Sequence, residues 1–290
     1  MPRSPERGWP RRVGTFVAFA AVIFLAWEGV KFIGGDPWRG EGWIWQPPLE
    51  IWFASDLLLP HTWDIFGALA APVQRGSDAS LAQFLVGAAL YTWREAALGF
   101  VVGTIIGISL AATFVHSRLL ERAFVPYVIA SQTIPIVALA PMIVFAFGPD
   151  VLSVVIIATY LTFFPVTIAM IRGLRSPDPR ALELMRSYAA SRRSIFWKLR
   201  MPASLPYLFT ALKVAATASI VGAIVGEGPG QIRDGLGRAI VNFNNQYISG
   251  PEKLWATIVA CALLGIVFFA LIRIAELVTL RGRGAVPDAA

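Results

Sequence analysis

Charge is what this sequence has least of. Asp, Glu, Lys and Arg make up 15% of its 290 residues, where a soluble globular domain carries roughly a quarter. So few polar side chains cannot coat a soluble core of this size, which argues against a soluble enzyme. At 56% hydrophobic, the chain is equally far from the composition of intrinsic disorder. Cysteine is nearly absent. Cys261 stands alone inside an apolar run, so there is no disulfide framework and no thiol cluster for a metal. The two histidines, His61 and His116, lie far apart without ligand-like spacing and read as loop or interface residues. No glycine-rich loop runs into Lys-Ser or Lys-Thr, and no catalytic constellation is placed. The chain is therefore expected to hold no nucleotide, cofactor or metal of its own.

What is abundant is long apolar sequence. A membrane-crossing helix needs about 20 mostly apolar residues, and six runs qualify: 13–33, 96–115, 123–147, 151–171, 206–225 and 254–277. The reading is an all-α membrane protein with six transmembrane helices. The first run follows a basic tail like that of a signal peptide, but it is too long and lacks a small-residue cleavage site, so an anchor helix is expected. Basic residues set the orientation. With the N-terminus inside, the inner segments carry Arg3, Arg7, Arg11, Arg12, Arg118, Arg122, Arg281 and Arg283. They also carry the densest cluster, Arg172, Arg175, Arg180, Arg186, Arg192, Arg193, Lys198 and Arg200. The outer stretch 34–80 has only Arg39 and Arg75, against Asp36, Glu41, Glu50, Asp56, Asp64 and Asp78. The net charge of +7 is thus a topology signal, and nucleic acid is not expected as a partner.

Between the spans, residues 34–90 are rich in Trp and Pro, and 49–59 reads as an interfacial helix. This stretch either docks an external partner or simply anchors the chain. Residues 79–97 read as an amphipathic lead into the second span, where Arg94 and Glu95 each need a partner or water. Glu28 and Lys31 are expected to snorkel. The third run is the least like a plain anchor. Ser131, Gln132 and Thr133 are polar in succession, and Pro135 bends the helix there. Gln132 either faces a polar solute or ties two helices together. Tyr160 and Phe163 in the fourth run, and Thr217 and Ser219 in the fifth, add hydroxyls and rings. Glu227, near the outer end of the fifth run, binds a cationic group, pairs with an arginine or reaches water.

The inner loop reads RGLRSPDPRALELMRSYAASRRSIFWKLRMPASLP over 172–206. Pro177 and Pro179 end the preceding helix, Asp178 caps a basic helix starting near Arg180, and a turn is expected near 190–192. Pro202 and Pro206 close the element before the fifth span. A helix with an apolar face here lies on the membrane or fits a partner's groove.

This loop resembles the coupling-loop signature (EAA motif) of ABC importer permeases, which has a Glu-Ala-Ala start, a Gly at the seventh position and an Ile-x-Leu-Pro end. Glu183 matches the Glu, Ala189 replaces the Gly, and Leu199, Met201 and Pro202 stand for the closing residues. Ala189 implies a turn made without positive φ, or a looser backbone approach. The resemblance runs from about Leu90 to Ile274. Ser-Gln-Thr-Ile-Pro at 131–135, Gly226-Glu227 and Gly235-Leu236-Gly237 are similar to one branch. That branch contains permeases for nitrate, taurine, aliphatic sulfonates, thiamine-pyrimidine precursors and riboflavin.

The resemblance implies a type I ABC importer (MetI-like) permease fold in a bacterial inner membrane, with outer interfacial helices, a cytoplasmic coupling helix and both termini cytoplasmic. Residues 1–33 form the tail and first helix, 34–90 the extracytoplasmic loop, 91–280 the five-helix core with coupling loop 172–205, and 281–290 a tail. Its implied partners are cytosolic ATPase subunits that use ATP and Mg, a second permease subunit, identical or homologous, an extracytoplasmic solute-binding protein, and the lipid bilayer. Glu183, Ala189, Arg192, Arg193 and Pro202 would couple to the ATPase. Ser131, Gln132, Thr133, Tyr160, Phe163, Thr217 and Ser219 would line the path, with Glu227 at its outer mouth. The spans hold no arginine cluster for an anion, and the Ser-Gln-Thr-Ile-Pro form leans to a vitamin or vitamin precursor over nitrate, taurine or a sulfonate. A secondary transporter, which needs embedded ion-coupling groups, or a membrane scaffold are the alternatives from other classes.

Overall fold

The computed structural model describes residues 9–40, 43–74, 76, 78–228 and 234–281. The extreme tails, Glu41 and Arg75 lie outside them. In chain order the elements are α1 (Trp9–Gly34), a two-stranded ribbon β1 (Trp38–Gly40) and β2 (Trp43–Trp45), α2 (Thr62–Ala68), α3 (Leu81–His116), α4 (Arg118–Ser131), α5 (Ile136–Phe147), α6 (Val151–Arg175), α7 (Pro179–Ser187), α8 (Arg192–Ile195), α9 (Met201–Glu227), α10 (Leu236–Asn245) and α11 (Pro251–Leu280). By length and composition, five segments among the described residues can cross a membrane: Val17–Gly34, Leu81–His116, Val151–Arg175, Arg192–Glu227 and Pro251–Leu280. The sixth is not one helix. α4 and α5 meet at 98°, so the run expected over 123–147 is a sharply bent helix pair and not one straight span.

The chain divides into two compact units. The first is Met1–Phe84 with Asn242–Ala256. Glu28 and Lys31 of α1 do not snorkel here. Lys31 is fully buried and donates to Asp56 Oδ1 at 2.5 Å and the Leu59 carbonyl at 2.6 Å. Glu28 takes His61 Nδ1 at 2.7 Å and the Thr62 amide and hydroxyl at 2.9 and 2.6 Å. Trp63 stacks on the His61 ring at 4.2 Å. The residues after α1 satisfy both charges, so neither needs to reach solvent. The interfacial helix expected over 49–59 is instead a chain of turns with one short 3-10 segment, Trp52–Ala54. Pro47, Pro48 and Pro60 restrict it, and the Leu49 and Ile51 amides pair with the carbonyls of Ile33 and Gly34.

The second unit is Leu85–Val241 with Thr257–Ala290. Its centre is the packing of α6 on α9 and on α3. Small residues set the spacing. A Cβ on Gly222 would stand 2.8 Å from Ala158 Cα, and one on Gly103 would stand 2.7 Å from Thr162 Cβ. Around these contacts Ala111, Val166, Met170, Leu174, Ala211 and Ala215 form one buried cluster. Ala96, Val154, Ala216, Ile220, Ala223 and Phe268 form another. Lys213 of α9 is not a lone charge in a span. Its Nζ donates to Glu276 of α11 at 3.0 and 3.2 Å, and Arg273 shares that carboxylate.

Candidate functional site

The loop between α6 and α9 is built from local rules. Asp178 Oδ1 accepts the Arg180 amide at 2.8 Å, and Pro179 opens α7 at a position where no amide is needed. Leu182 and Arg186, one turn apart, share one face of α7. Leu184 and Tyr188 share the opposite one and are 57% and 79% exposed.

The end of α7 departs from the expectation for Ala189. Ala189 has φ of 52°. Its amide donates to the Arg186 carbonyl at 2.9 Å, and the Ala190 amide donates to the Met185 carbonyl at 3.0 Å. That pair of bonds is a Schellman closure, which places its left-handed residue where glycine is favoured. The turn therefore keeps the positive φ that a glycine would supply, and an alanine carries its steric cost. The geometry is fixed by two carbonyls that must find donors at the helix end.

Ser191 then caps α8, its Oγ accepting the Ser194 amide at 3.2 Å. A π-helical turn over Phe196–Arg200 leads without interruption into α9. Pro202 and Pro206 thus do not close the element. Pro202 occupies the first turn of α9 and Pro206 lies within it. A proline cannot donate to the carbonyl four residues back, and the wider π turn takes up that misfit at the start. The fifth span consequently begins well before 206, at Arg192. Phe196 is the wedge between loop and core, packing on the Ala111–Met170–Ala215 cluster and near the His116 ring. Among the coupling candidates, Glu183, Ala189, Arg192 and Arg193 are exposed on this element, while Pro202 is half-buried in the helix behind it.

A second group forms where α4 breaks. Pro135, at the cap of α5, leaves the Ser131 carbonyl without its α-helical donor. The Tyr160 hydroxyl of α6 donates to that oxygen. Ser131 and Thr133 bond back to the carbonyls of Val128 and Ala130 at 2.8 and 2.7 Å. The Gln132 amide nitrogen is buried and unpartnered among the described residues. Phe163 lies 6.0 Å from the Tyr160 ring. Ser131, Tyr160 and Phe163 are thus brought together. Thr217 and Ser219 are not joined to them by any hydrogen bond among the described residues. Ser219 is fully buried, with its hydroxyl on the Ala216 carbonyl at 2.9 Å, so it belongs to helix packing and not to an open wall.

Glu227 departs further from expectation. It is fully buried, as is Glu95 of α3, and the two carboxyl groups lie close enough to interact, an arrangement that disfavours a charge on both at once. The Gly237 amide donates to Glu227 Oε2 at 2.6 Å, and the Leu236 amide donates to Thr92 Oγ1 at 2.8 Å. Gly235, with φ of 107°, wraps the carboxyl so closely that a Cβ there would fall 2.4 Å from Glu227 Cδ. Glu227 therefore reaches neither water nor an arginine among the described residues. It is a lock that holds the start of α10, its carboxyl closed in by Gly235 and Gly237. Its partner Glu95 was visible in the sequence only as a charge near a span boundary; nothing in the spacing joined 95 to 227.

Residues 103–277 match the family described as binding-protein-dependent transport system inner membrane component. The chain is 37% identical over 186 residues to the formylaminopyrimidine transport permease protein of Halalkalibacterium halodurans, covering 64% of this chain and 73% of that one. It is 32% identical over 166 residues to the riboflavin transport system permease protein of Chloroflexus aurantiacus, covering 57% and 61%. A putative aliphatic sulfonates transport permease protein of Bacillus subtilis is 26% identical over 191 residues, covering 66% and 68%.

Proposed function

The chain belongs to the family of binding-protein-dependent transport inner membrane components, the permease subunits of type I ABC importers, and from that premise we propose how it works and what it carries. The α7–α8 loop is the coupling element. It faces the cytoplasm, as do both termini, and receives a cytosolic ATPase that alone binds ATP and Mg. A second permease copy or a sister subunit completes the path, and an extracytoplasmic binding protein delivers the solute. The observation that carries this reading is the exposed tip of α7. Leu184 and Tyr188 stand free at 57% and 79% exposure, next to a turn pinned by two hydrogen bonds. That is a rigid apolar knob of the kind that fills a groove. Glu183 and Arg192 flank it as orienting charges.

The path runs past the break in α4 and α5, with Gln132 offering an amide to the solute. The solute is a vitamin precursor of the pyrimidine type. The relatives named for formylaminopyrimidine and riboflavin are more similar to this chain than the one named for sulfonates. Two measurements test this. Substituting Glu183→Lys and Tyr188→Ala should abolish co-purification of the cognate ATPase, and retention by both variants overturns the coupling assignment. Mass spectrometry of the ligand carried by the cognate binding protein should show a pyrimidine-type compound; a sulfonate or nitrate overturns the substrate.

A further inference from the structure

Two cavities of about 880 and about 610 Å³ lie behind the α7–α8 loop, sharing Val115, Arg118, Leu182 and Arg200 in their walls. Arg118, Arg122, Arg175, Arg186, Arg192 and Arg200 line them together. The acid in these walls is Glu121, and it is already paired with Arg175. Arg118, Arg122, Arg186, Arg192 and Arg200 have no acidic partner among the described residues. Arg200 is half-buried and stands within electrostatic range of Arg175 and Arg186. Guanidinium groups gathered in this way repel one another, more so where water is partly excluded. A concave wall of one sign attracts a counter-ion.

The remaining wall is apolar. Val125, Pro126 and Leu174 line the larger cavity, Ile195 and Phe196 the smaller. Beside them on α4, Leu119 and Phe124 are exposed. An ordinary counter-ion uses the arginines and wastes this surface, whereas an amphiphile uses both. The cavities are also compatible with a docked partner. Leu182 and Arg186 face them, while the exposed Leu184 and Tyr188 stand on the opposite side of α7.

We propose that this cavity holds a phosphate-bearing anion, presented on the headgroup of an anionic membrane phospholipid. Basic pockets between transmembrane helices recognise such headgroups. Planar guanidinium forks match phosphate oxygens two at a time. The lipid would brace α7 from behind, on the side away from its partner.

The test is native mass spectrometry of the full chain released from nanodiscs of equal phosphatidylglycerol and phosphatidylcholine. The chain should retain phosphatidylglycerol in preference. The double substitution Arg118→Gln with Arg200→Gln should weaken that retention by about 25-fold, at about fivefold for each arginine. Arg238→Gln, which removes the same charge from α10, should leave it unchanged. Arg118 is exposed, so Arg118→Gln alone, expected to weaken retention about fivefold, serves if the double variant does not fold; Arg118→Lys should largely restore it. Millimolar inorganic phosphate distinguishes the source of the anion. If it displaces the lipid and alone protects the chain from heat unfolding, the anion is free phosphate and the phosphate site stands. Equal retention of the two lipids with no protection by phosphate overturns the proposal, as does retention that Arg118→Gln leaves untouched.

Discussion

Tyr160 donates its hydroxyl proton to the Ser131 carbonyl, the oxygen that Pro135 strips of its helical donor. One helix thus holds open the break in its neighbour. The bond gives a second donor to an acceptor otherwise met only by the Ile134 amide at 3.4 Å, at a depth where water is scarce, and it ties the end of α4 to α6.

Tyr160→Phe tests that relationship. It removes one hydroxyl and keeps the ring. The loss should be about 1 kcal/mol of stability, seen as a lower unfolding midpoint by tryptophan fluorescence in detergent. An unchanged midpoint would mean the Ile134 amide, 3.4 Å from that oxygen, satisfies the Ser131 carbonyl without the tyrosine.

Ala189 offers a substitution that should improve the protein. Its φ of 52° costs an L-residue about 1–2 kcal/mol. Ala189→Gly should recover about 1 kcal/mol, slow hydrogen exchange at the Ala189 and Ala190 amides, and leave ATPase association intact. Ala189→Val should do the reverse, since branching at Cβ worsens the same clash. If the glycine variant exchanges faster, the turn is not strained.

The buried carboxyl pair should respond asymmetrically. Glu95→Gln keeps the shape of the side chain and removes one of two neighbouring buried carboxyls, and stability should change by less than about 0.5 kcal/mol. Glu227→Ala strands the Gly237 amide, which donates to it at 2.6 Å, and should cost about 1–3 kcal/mol. Chemical denaturation of the two variants side by side makes the comparison. Equal losses would remove Glu227 as the lock on α10.

Gly222 should resist enlargement. A Cβ there would press on Ala158 Cα at 2.8 Å, and backbone cannot step aside as a side chain does. Gly222→Ala should cost about 1–3 kcal/mol, measured as a drop in unfolding midpoint. Ala158→Gly on the same background would leave the clash in place, because the obstructing atom is the Cα itself. Recovery in that double variant would show that the contact is with a movable side chain.

Much of this was legible in the sequence. The apolar runs located the spans, and Pro135 marked the break. Asp178 announced the start of α7. What escaped was what depends on distant partners. The full burial of Lys31 required Asp56, and the burial of Glu227 required Glu95 and the glycines of 235–237. Hydropathy reads each of these as a charge seeking water, because it knows nothing of the residue that will meet it. Pro202 misled for a different reason: a proline in a first turn looks the same on paper as one that stops a helix, and only the π turn before it decides. The glycine position of the loop signature misled in a third way. Replacing the residue did not replace the backbone demand, since the hydrogen bonds closing α7 require the left-handed turn whatever side chain sits there.

The uninterrupted run from Arg192 to Glu227 has a mechanical meaning. Its 36 residues at about 1.5 Å each give a rod of about 54 Å, far longer than the roughly 30 Å of a bilayer's hydrocarbon. One end lies at the loop beside α7, and the other ends in the carboxyl lock. Pivoting by about 5° near its middle, such a rod carries each tip about 2.4 Å in opposite directions. It works as a lever, with its fulcrum where Ala211 and Ala215 are buried among the neighbouring helices. A displacement small enough to preserve every contact at the pivot is therefore large enough, at the tips, to break a hydrogen bond.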